Sequence, residues 1–150
     1  MVMMDVDSIF IDTNVLIYAN NRESDLCELA REKINKLTGR VNSLVISDQI
    51  IREYLVIMTR PGFIEKPVSN KSALEDVERM RKEFTLILPD LNSLNTLIEL
   101  IGKYEIKGKR IHDAAIVSLM LTNGINDILT HNTDDFKSFR ELTVHPLLKK

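Results

Sequence analysis

Acidic residues stand at four places in the chain where a charge needs an explanation. Asp12 lies between residues 9–11 and 15–17, two apolar runs typical of a buried core. An ionised carboxylate among such residues costs free energy unless other groups compensate it. The other three places are Glu53, Asp113 and a turn that contains Asn132, Asp134 and Asp135. If these side chains share one site, their oxygen atoms form a binding site for a cation.

Carboxylates that meet in one site favour a divalent cation. Two like unit charges about 4 Å apart repel by about 4 kcal/mol at an effective dielectric constant near 20, a large part of the stability of a small domain. The sequence places no arginine where it would obviously neutralise them. Because Mg²⁺ and Mn²⁺ prefer all-oxygen ligands, one of these ions is the expected cofactor. Without metal, we expect at least one of the carboxylates to have a pKa well above its ordinary value.

Taken singly, each acid has a simpler explanation. Glu53 lies at the rim of the apolar face of a helix predicted over residues 48–59, from which it could reach water. Asp113 falls in the first turn of another predicted helix, where the helix dipole favours an acid. Asp134 and Asp135 could simply open a turn. The combination, rather than any one residue, favours a shared site.

Short runs of β-forming residues alternate with longer helical patterns. The predicted strands are residues 8–11, 44–46, 84–88, 128–130 and, more weakly, 142–144. Strand followed by helix, repeated, predicts an α/β fold in three α/β/α layers around a parallel sheet. In such sheets ligands bind beyond the carboxyl ends of the strands. Asp12 directly follows the first strand, and Thr130 ends the fourth, which we expect to lie beside the first.

Serines and glycines suggest where the helices begin and end. The predicted N-caps are Ser24, Ser47 and Ser72, and the predicted helix ends are Gly39, Gly102 and Gly124. Segment 60–70 contains two prolines and a glycine. We therefore expect that segment to be a loop.

Length and composition restrict the class of protein. The 150 residues, of which 44% are hydrophobic and 28% charged, fit one domain over residues 1–150. No apolar run exceeds five residues, and the start, residues 1–8, is acidic where a signal peptide would be basic. We therefore expect a cytoplasmic protein without a membrane segment. The single cysteine, Cys27, cannot form an internal disulfide.

The net charge of −2 means that any nucleic-acid binding must be local. Lys107, Lys109 and Arg110 closely precede Asp113, and further basic residues follow the fourth acidic place. Such a basic rim could hold phosphates, although a solvated charged surface explains it equally well. Thr13 and Asn14 could hydrogen-bond the Asp12 carboxylate or a substrate. No series of aromatic residues for stacking bases is visible.

Four segments together carry a resemblance to a known family. They are DTNVLIYA at 12–19, SDQIIREYL at 47–55, RIHDAAIVSLMLTNGI at 110–125 and ILTHNTDDF at 128–136. In this order, and over nearly the whole chain, they resemble the PIN domain, especially the VapC-type toxins of prokaryotes. The resemblance implies a five-stranded sheet of order 3-2-1-4-5. It also implies a Mg²⁺- or Mn²⁺-dependent ribonuclease of the single-strand type that acts on RNA, often a homodimer and often paired with a small antitoxin protein.

The resemblance also implies roles for individual residues. By position, Asp12, Glu53 and Asp113 match the three acids of the family, with catalytic and metal-binding roles. Where the family often has Asp after the strand-four threonine, this chain has Asn132 nearest. Further metal ligands are therefore expected among Asn132, Asp134 and Asp135, with Asp135 as the fourth catalytic acid. The expected substrate-binding residues are Thr13, Asn14, Lys109 and Arg110.

Three other interpretations compete with a metal-dependent nuclease. A haloacid-dehalogenase phosphatase would need a second aspartate where this chain has Asn14. A response-regulator receiver would need a phosphoacceptor after the third strand, but Asp90 fits the start of a helix better. A catalytically silent PIN fold that acts as a binding module in RNA processing also remains, and Asn132 favours it.

Overall fold

The computed structural model describes residues 6–148, and the chain ends at 1–5 and 149–150 lie outside the described residues. The acidic start noted above therefore falls mostly outside them. Within residues 6–148, no helix combines the length and apolar composition needed to cross a membrane.

The centre of the fold is a parallel sheet of five strands. They are β1 (Ser8–Ile11), β2 (Ser43–Ser47), β3 (Thr85–Ile87), β4 (Asp127–Thr130) and β5 (Thr143–Pro146). Their order is β3-β2-β1-β4-β5, and every neighbouring pair is parallel. Both the order and the predicted α/β class are confirmed. Because β1 is the middle strand, the residue that follows it stands at the centre of the carboxyl edge.

Helices connect the strands. They are α1 (Thr13–Asn20), α2 (Cys27–Thr38), α3 (Asp48–Met58), α4 (Asn70–Glu83), α5 (Leu91–Tyr104) and α6 (Arg110–Thr122), with a short 3₁₀ turn at Thr133–Asp135. Ile9, Phe10 and Ile11 are each 0% exposed. Successive strand residues point to opposite faces, so their burial shows that both faces of the sheet are covered.

Helix α1 is the element that its own sequence pattern did not predict. Six of its eight residues are buried, among them Thr13 and Asn14. A helix enclosed on nearly all sides lacks the apolar stripe by which sequence patterns reveal helices. It begins immediately after β1, so its N-terminus and the carboxyl end of β1 form one corner.

Several predicted helix boundaries were wrong. Helix α4 is capped by Ser69, whose side chain accepts a hydrogen bond from the backbone N–H of Ser72. Ser24, a predicted N-cap, does not cap α2, which begins three residues later at Cys27 with Leu26 as its N-cap. Gly102 lies inside α5, which ends in a left-handed residue, Glu105 (φ 51°). A glycine tolerated within a helix gives the same sequence signal as one that ends it, which explains the error.

Other boundary predictions were confirmed. Ser47 is the N-cap residue of α3 by position, although its side chain makes no capping hydrogen bond. Gly39 and Gly124 follow the ends of α2 and α6. Asp90 caps α5, where its side chain and Ser93 form reciprocal hydrogen bonds with each other's backbone N–H groups. Asp90 therefore has the role of a helix cap that the sequence suggested.

Candidate active site

Asp12 is the N-cap of α1 and only 7% exposed. Its Oδ1 accepts a hydrogen bond from the backbone N–H of Thr13 at 2.8 Å. Its Oδ2 accepts from the Thr130 hydroxyl at 2.8 Å and from the Asn14 amide at 3.1 Å. These three donors and the positive end of the helix dipole compensate part of the charge. They also hold the carboxylate in one orientation.

The end of β4 is tied to the same corner. The Asp12 N–H donates to the Leu129 carbonyl at 3.0 Å, which continues the pairing of β1 with β4. The Thr130 hydroxyl also accepts a hydrogen bond from the backbone N–H of Asn132 at 3.0 Å. The Asn14 side-chain oxygen accepts from the His131 N–H at 3.0 Å. The turn after β4 is therefore positioned by the same side chains that surround Asp12.

Glu53 reaches the site from α3. One carboxylate oxygen accepts a hydrogen bond from the Thr13 hydroxyl at 2.6 Å, and the other accepts from the Gln49 amide at 2.9 Å. Gln49 also donates to the backbone carbonyl of His112 at 3.1 Å, and so links α3 to α6. As expected, Glu53 is half-buried, while Arg52 points to solvent and pairs with Asp48.

The acids meet around one cleft of about 180 Å³. Its walls include most of the residues proposed from the sequence: Asp12, Thr13, Asn14, Glu53, Asp113, Asn132 and Asp135. Apolar side chains complete it: Ile17, Ile57, Phe63 and Ile116. Asp134 does not line the cleft; its side chain is 81% exposed and lies 2.6 Å from the Lys137 ammonium group. The fold thus brings together residues more than 120 positions apart in the chain.

Two carboxyl groups in the cleft bind protons more tightly than usual. Burial raises the pKa of Asp12 from 3.8 to about 6, although hydrogen bonds from Thr130 and Thr13 oppose the shift. Burial, followed by the negative charges of Asp135 and Asp12, raises the pKa of Asp113 from 3.8 to about 7. The expected direction is confirmed. The main cause is desolvation, with like-charge repulsion second.

The expectation that no arginine acts on these acids needs correction. Arg110, on the first turn of α6, lowers the pKa of Asp113, but it does not outweigh burial. Its guanidinium donates to the Ser138 hydroxyl at 2.9 Å and lies 5.8 Å from the centre of the Phe139 ring. Lys109 precedes α6 and is exposed. Neither basic residue lines the cleft.

The donor set has the chemistry that a hard divalent cation requires. The polar groups of the cleft are carboxylates, the amides of Asn14 and Asn132 and the Thr13 hydroxyl, whose oxygen atoms are ligands suited to Mg²⁺ or Mn²⁺. The raised pKa values of Asp12 and Asp113 mean that added positive charge would stabilise their ionised forms. Within the described part of the chain, however, no three His, Cys, Asp or Glu side chains come together in position to hold a metal ion. The residues fit such an ion chemically, but three of the acids are not preassembled around it.

Sequence reasoning missed several residues of the site. Thr130 was placed beside Asp12, but its hydroxyl was not expected to bind the carboxylate. The position of Thr130 at the end of the strand beside β1 could have indicated this hydrogen bond. Gln49, one helical turn before Glu53, and Phe63, from the loop predicted at 60–70, had no comparable signal, because their roles depend on contacts between distant elements.

The raised pKa of Asp12 predicts how stability depends on pH. Its carboxyl titrates at about 6 in the folded protein and ordinarily at 3.8, so the fold binds the proton more tightly. Rising pH between about 4 and 7 should therefore cost the metal-free protein stability. Asp12→Asn removes this contribution. We expect the free energy of unfolding of the variant, relative to wild type, to rise by about 2 kcal/mol across that range.

Urea unfolding in the presence of a chelator, at pH values from 4 to 7, measures this difference. Asp134→Asn is the matched control. It removes an exposed acid that lies next to Asp135 in sequence but outside the cleft, and it should follow the wild-type profile. Parallel pH profiles for wild type and Asp12→Asn would show that the Asp12 pKa is not raised.

Comparison with known proteins identifies the family of this chain. The family model described as PIN domain matches residues 9–142. Ribonuclease VapC24 of Mycobacterium tuberculosis is 23% identical over 130 residues, which cover 86% of this chain and 89% of the relative. Ribonuclease VapC48 of the same species is 22% identical over 135 residues, which cover 89% and 92%.

Solved structures show the same fold. VapBC2 from Rickettsia felis, crystallised with a DNA fragment from its promoter, matches with a TM-score of 0.70 at 17% identity, covering 93% of this chain and 98% of that one. A toxin-antitoxin complex from Klebsiella pneumoniae matches with a TM-score of 0.64 at 20% identity, covering 95% and 99%. The family match extends over most of the sequence, from β1 to the segment before β5. The chain therefore belongs to the PIN domain family.

Proposed function

We propose that this protein is a divalent-metal-dependent endoribonuclease that hydrolyses RNA phosphodiester bonds, and that it is the toxin of a toxin-antitoxin pair. The observation that carries the proposal is the cleft in which Asp12, Glu53, Asp113 and Asp135 meet. Two of these carboxyl groups hold protons unusually tightly without metal. The names of the relatives, which are ribonucleases and toxin-antitoxin complexes, support the same activity.

Asp12 and Asp113 would hold the ion, and Glu53, Asn132 and Asp135 are the remaining candidates for its oxygen ligands. When bound, Mg²⁺ or Mn²⁺ supplies positive charge beside the reacting phosphate and makes a water molecule easier to deprotonate.

The other side chains of the cleft position these acids. Thr130, Asn14 and the N–H of Thr13 fix the Asp12 carboxylate, so it needs little reorganisation to act. Glu53 is fixed by Thr13 and Gln49, which leaves a carboxylate at the cleft wall to orient the attacking water. Carboxylates held in this way need not reorganise before they hold a cation and orient a water molecule.

Basic residues outside the cleft would hold the RNA backbone. Lys109 and Arg110 stand at the start of α6, one turn or less before Asp113. Phosphate contacts from Lys and Arg position a nucleic acid without reading its sequence. Thr13 and Asn14, assigned to substrate from the sequence, are instead engaged with Glu53 and Asp12, so we propose that they act on substrate only through these acids.

Substitution of the acids tests the activity. Asp12→Asn and Asp113→Asn should each reduce cleavage of RNA by a factor of about 100 or more, because each removes a carboxylate that would hold the cation beside the reacting phosphate. Asp134→Asn should cleave like wild type, since Asp134 lies outside the cleft. Digestion of a panel of structured RNAs with Mn²⁺, Mg²⁺ or chelator measures the effect. Cleavage that persists in chelator, or in Asp12→Asn, would contradict the assignment.

A catalytically silent binding module is the second candidate function. Asn132 stands where the family often has an acid, and no three acids are preassembled among residues 6–148. Such a module would bind RNA without cleaving it in Mn²⁺. The digestion experiment therefore separates the two functions, provided that RNA binding is measured in the same samples.

Helix α5 offers a surface for the homodimer that we also propose. Its exposed apolar residues Leu91, Leu94 and Ile98 are 73%, 50% and 61% exposed and follow helical spacing, so they form one stripe. Leu88, just before the helix, extends the stripe and is 60% exposed. Contiguous apolar surface of this kind marks protein interaction sites. We propose that α5 packs against a second copy, and that a small antitoxin is a separate partner.

The α5 stripe predicts a change of oligomeric state. Leu94→Glu places a charge in the proposed contact and should shift the protein from dimer to monomer, because an unpaired charge in an apolar interface is costly. Leu74→Glu is the control, since Leu74 is 54% exposed on α4. Sedimentation at several concentrations measures both. A dimer unchanged in Leu94→Glu, or a wild-type protein that is monomeric throughout, would contradict the proposal.

A further inference from the structure

Phe63 is an exposed aromatic residue at the cleft. It lies in the segment between α3 and α4, and it is 55% exposed although it lines the cleft beside the acids. The segment is anchored on both sides. Ile64 is 4% exposed, and the Val68 N–H donates to the Met58 carbonyl at 2.8 Å. The anchors hold Phe63 at the mouth of the cleft rather than in the core.

The Tyr18 ring lies next to Phe63, and the His131 ring lies next to Tyr18. The centre of the Phe63 ring is 6.2 Å from that of Tyr18, with 45° between the ring planes. Tyr18 in turn lies 5.2 Å from the His131 ring, edge to face at 85°. We name Phe63, Tyr18 and His131 the aromatic platform. The sequence showed no aromatic series because these residues come from a loop, from α1 and from the turn after β4.

The platform is fixed to the catalytic residues. Tyr18 lies one helical turn after Asn14, which hydrogen-bonds Asp12. His131 donates its backbone N–H to the Asn14 side chain. Asn14 therefore contacts both Asp12 and the turn that carries His131. Because of these contacts, a ligand that touches Phe63 has a defined position relative to Asp12.

The surroundings of Phe63 select the kind of ligand. An exposed apolar ring favours contact with a flat apolar face, and an unpaired nucleobase provides one. Phosphate groups alone would be repelled by the cleft acids without a cation. A base contact supplies affinity that does not depend on charge. Bases in a duplex are already stacked on both faces, so the platform favours single-stranded RNA.

We propose that Phe63, backed by Tyr18 and His131, stacks against an unpaired base of the RNA substrate next to the phosphate that is cleaved. This inference rests on the proposed function, since it assigns how that same cleft selects its RNA. Phe63 is then a substrate-binding residue that positions the strand relative to the acids of the cleft.

Binding of a fluorescently labelled single-stranded RNA to the Asp12→Asn protein tests the proposal without cleavage. Phe63→Ala should weaken binding roughly 5- to 100-fold, the range expected for loss of one base–aromatic stack. Phe63→Leu keeps an apolar side chain but lacks the ring face, and should lose nearly as much. Phe63→Trp should restore binding. Leu74→Ala, at a similarly exposed leucine on α4, is the matched control and should bind like the parent.

RNA strands with a single abasic position identify the stacked base. With Phe63 present, removal of one particular base should weaken binding. With Phe63→Ala, removal of that base should have no further effect. Affinity of Phe63→Ala equal to that of the parent would overturn the proposal, as would equal losses for the Trp and Ala variants. Abasic effects that simply add to the Phe63→Ala effect would also overturn it.

The experiment distinguishes failure of this inference from failure of the proposed function. If wild type cleaves RNA in Mn²⁺ but Phe63→Ala binds and cleaves normally, the stacking proposal alone is wrong. If wild type does not cleave RNA but binding depends on Phe63 as described, stacking stands and the nuclease assignment fails. If the chain neither binds nor cleaves any single-stranded RNA, both are wrong, and the platform belongs to a protein partner.

Discussion

The buried carboxylate of Asp12 is the constraint on which the rest of the site depends. Water is almost excluded from it, yet it keeps three hydrogen-bond donors, from Thr13, Asn14 and Thr130. Burial raises the pKa to about 6 and outweighs the hydrogen bonds from Thr130 and Thr13, which lower it. The protein therefore stabilises the charged form only in part. In the proposed function a divalent cation supplies the remaining compensation, and the carboxylates and amide oxygens of the cleft are ligands that suit such an ion.

The fold makes this arrangement possible at a single corner. Parallel strands direct their carboxyl ends to one edge, and the helices that follow begin there with their N–H groups unpaired. Asp12 uses the start of α1, and Asp113 the first turn of α6. Placing β1 between β2 and β4 brings the start of α3 and the turn after β4 to the same edge. Acids far apart in sequence thus meet at one edge of the sheet.

The parts of this structure that could be predicted from sequence are those with a local signal. Strands β1 and β4 show as apolar runs, and the strand order followed from resemblance to the PIN domain. Asp12, Glu53 and Asp113 were identified as a group because each follows a strand or lies in the first half of a predicted helix, and these positions meet at the carboxyl edge of a parallel sheet. Helix α1 was missed because it is buried on nearly all sides, polar Thr13 and Asn14 included, so it has no apolar stripe that contrasts with a polar face. The Thr130 hydrogen bond and the aromatic platform were missed because they join residues whose spacing carries no periodicity.

The central claim is that burial and mutual proximity leave these acids incompletely compensated until a divalent cation binds. The most direct measurement is an NMR titration of the side-chain carboxyl carbons of Asp12 and Asp113, in chelator and in saturating Mg²⁺. We expect apparent pKa values of about 6 and about 7 in chelator, and a marked decrease of both in Mg²⁺. Ordinary carboxyl pKa values in chelator, or values that Mg²⁺ leaves unchanged, would contradict the account.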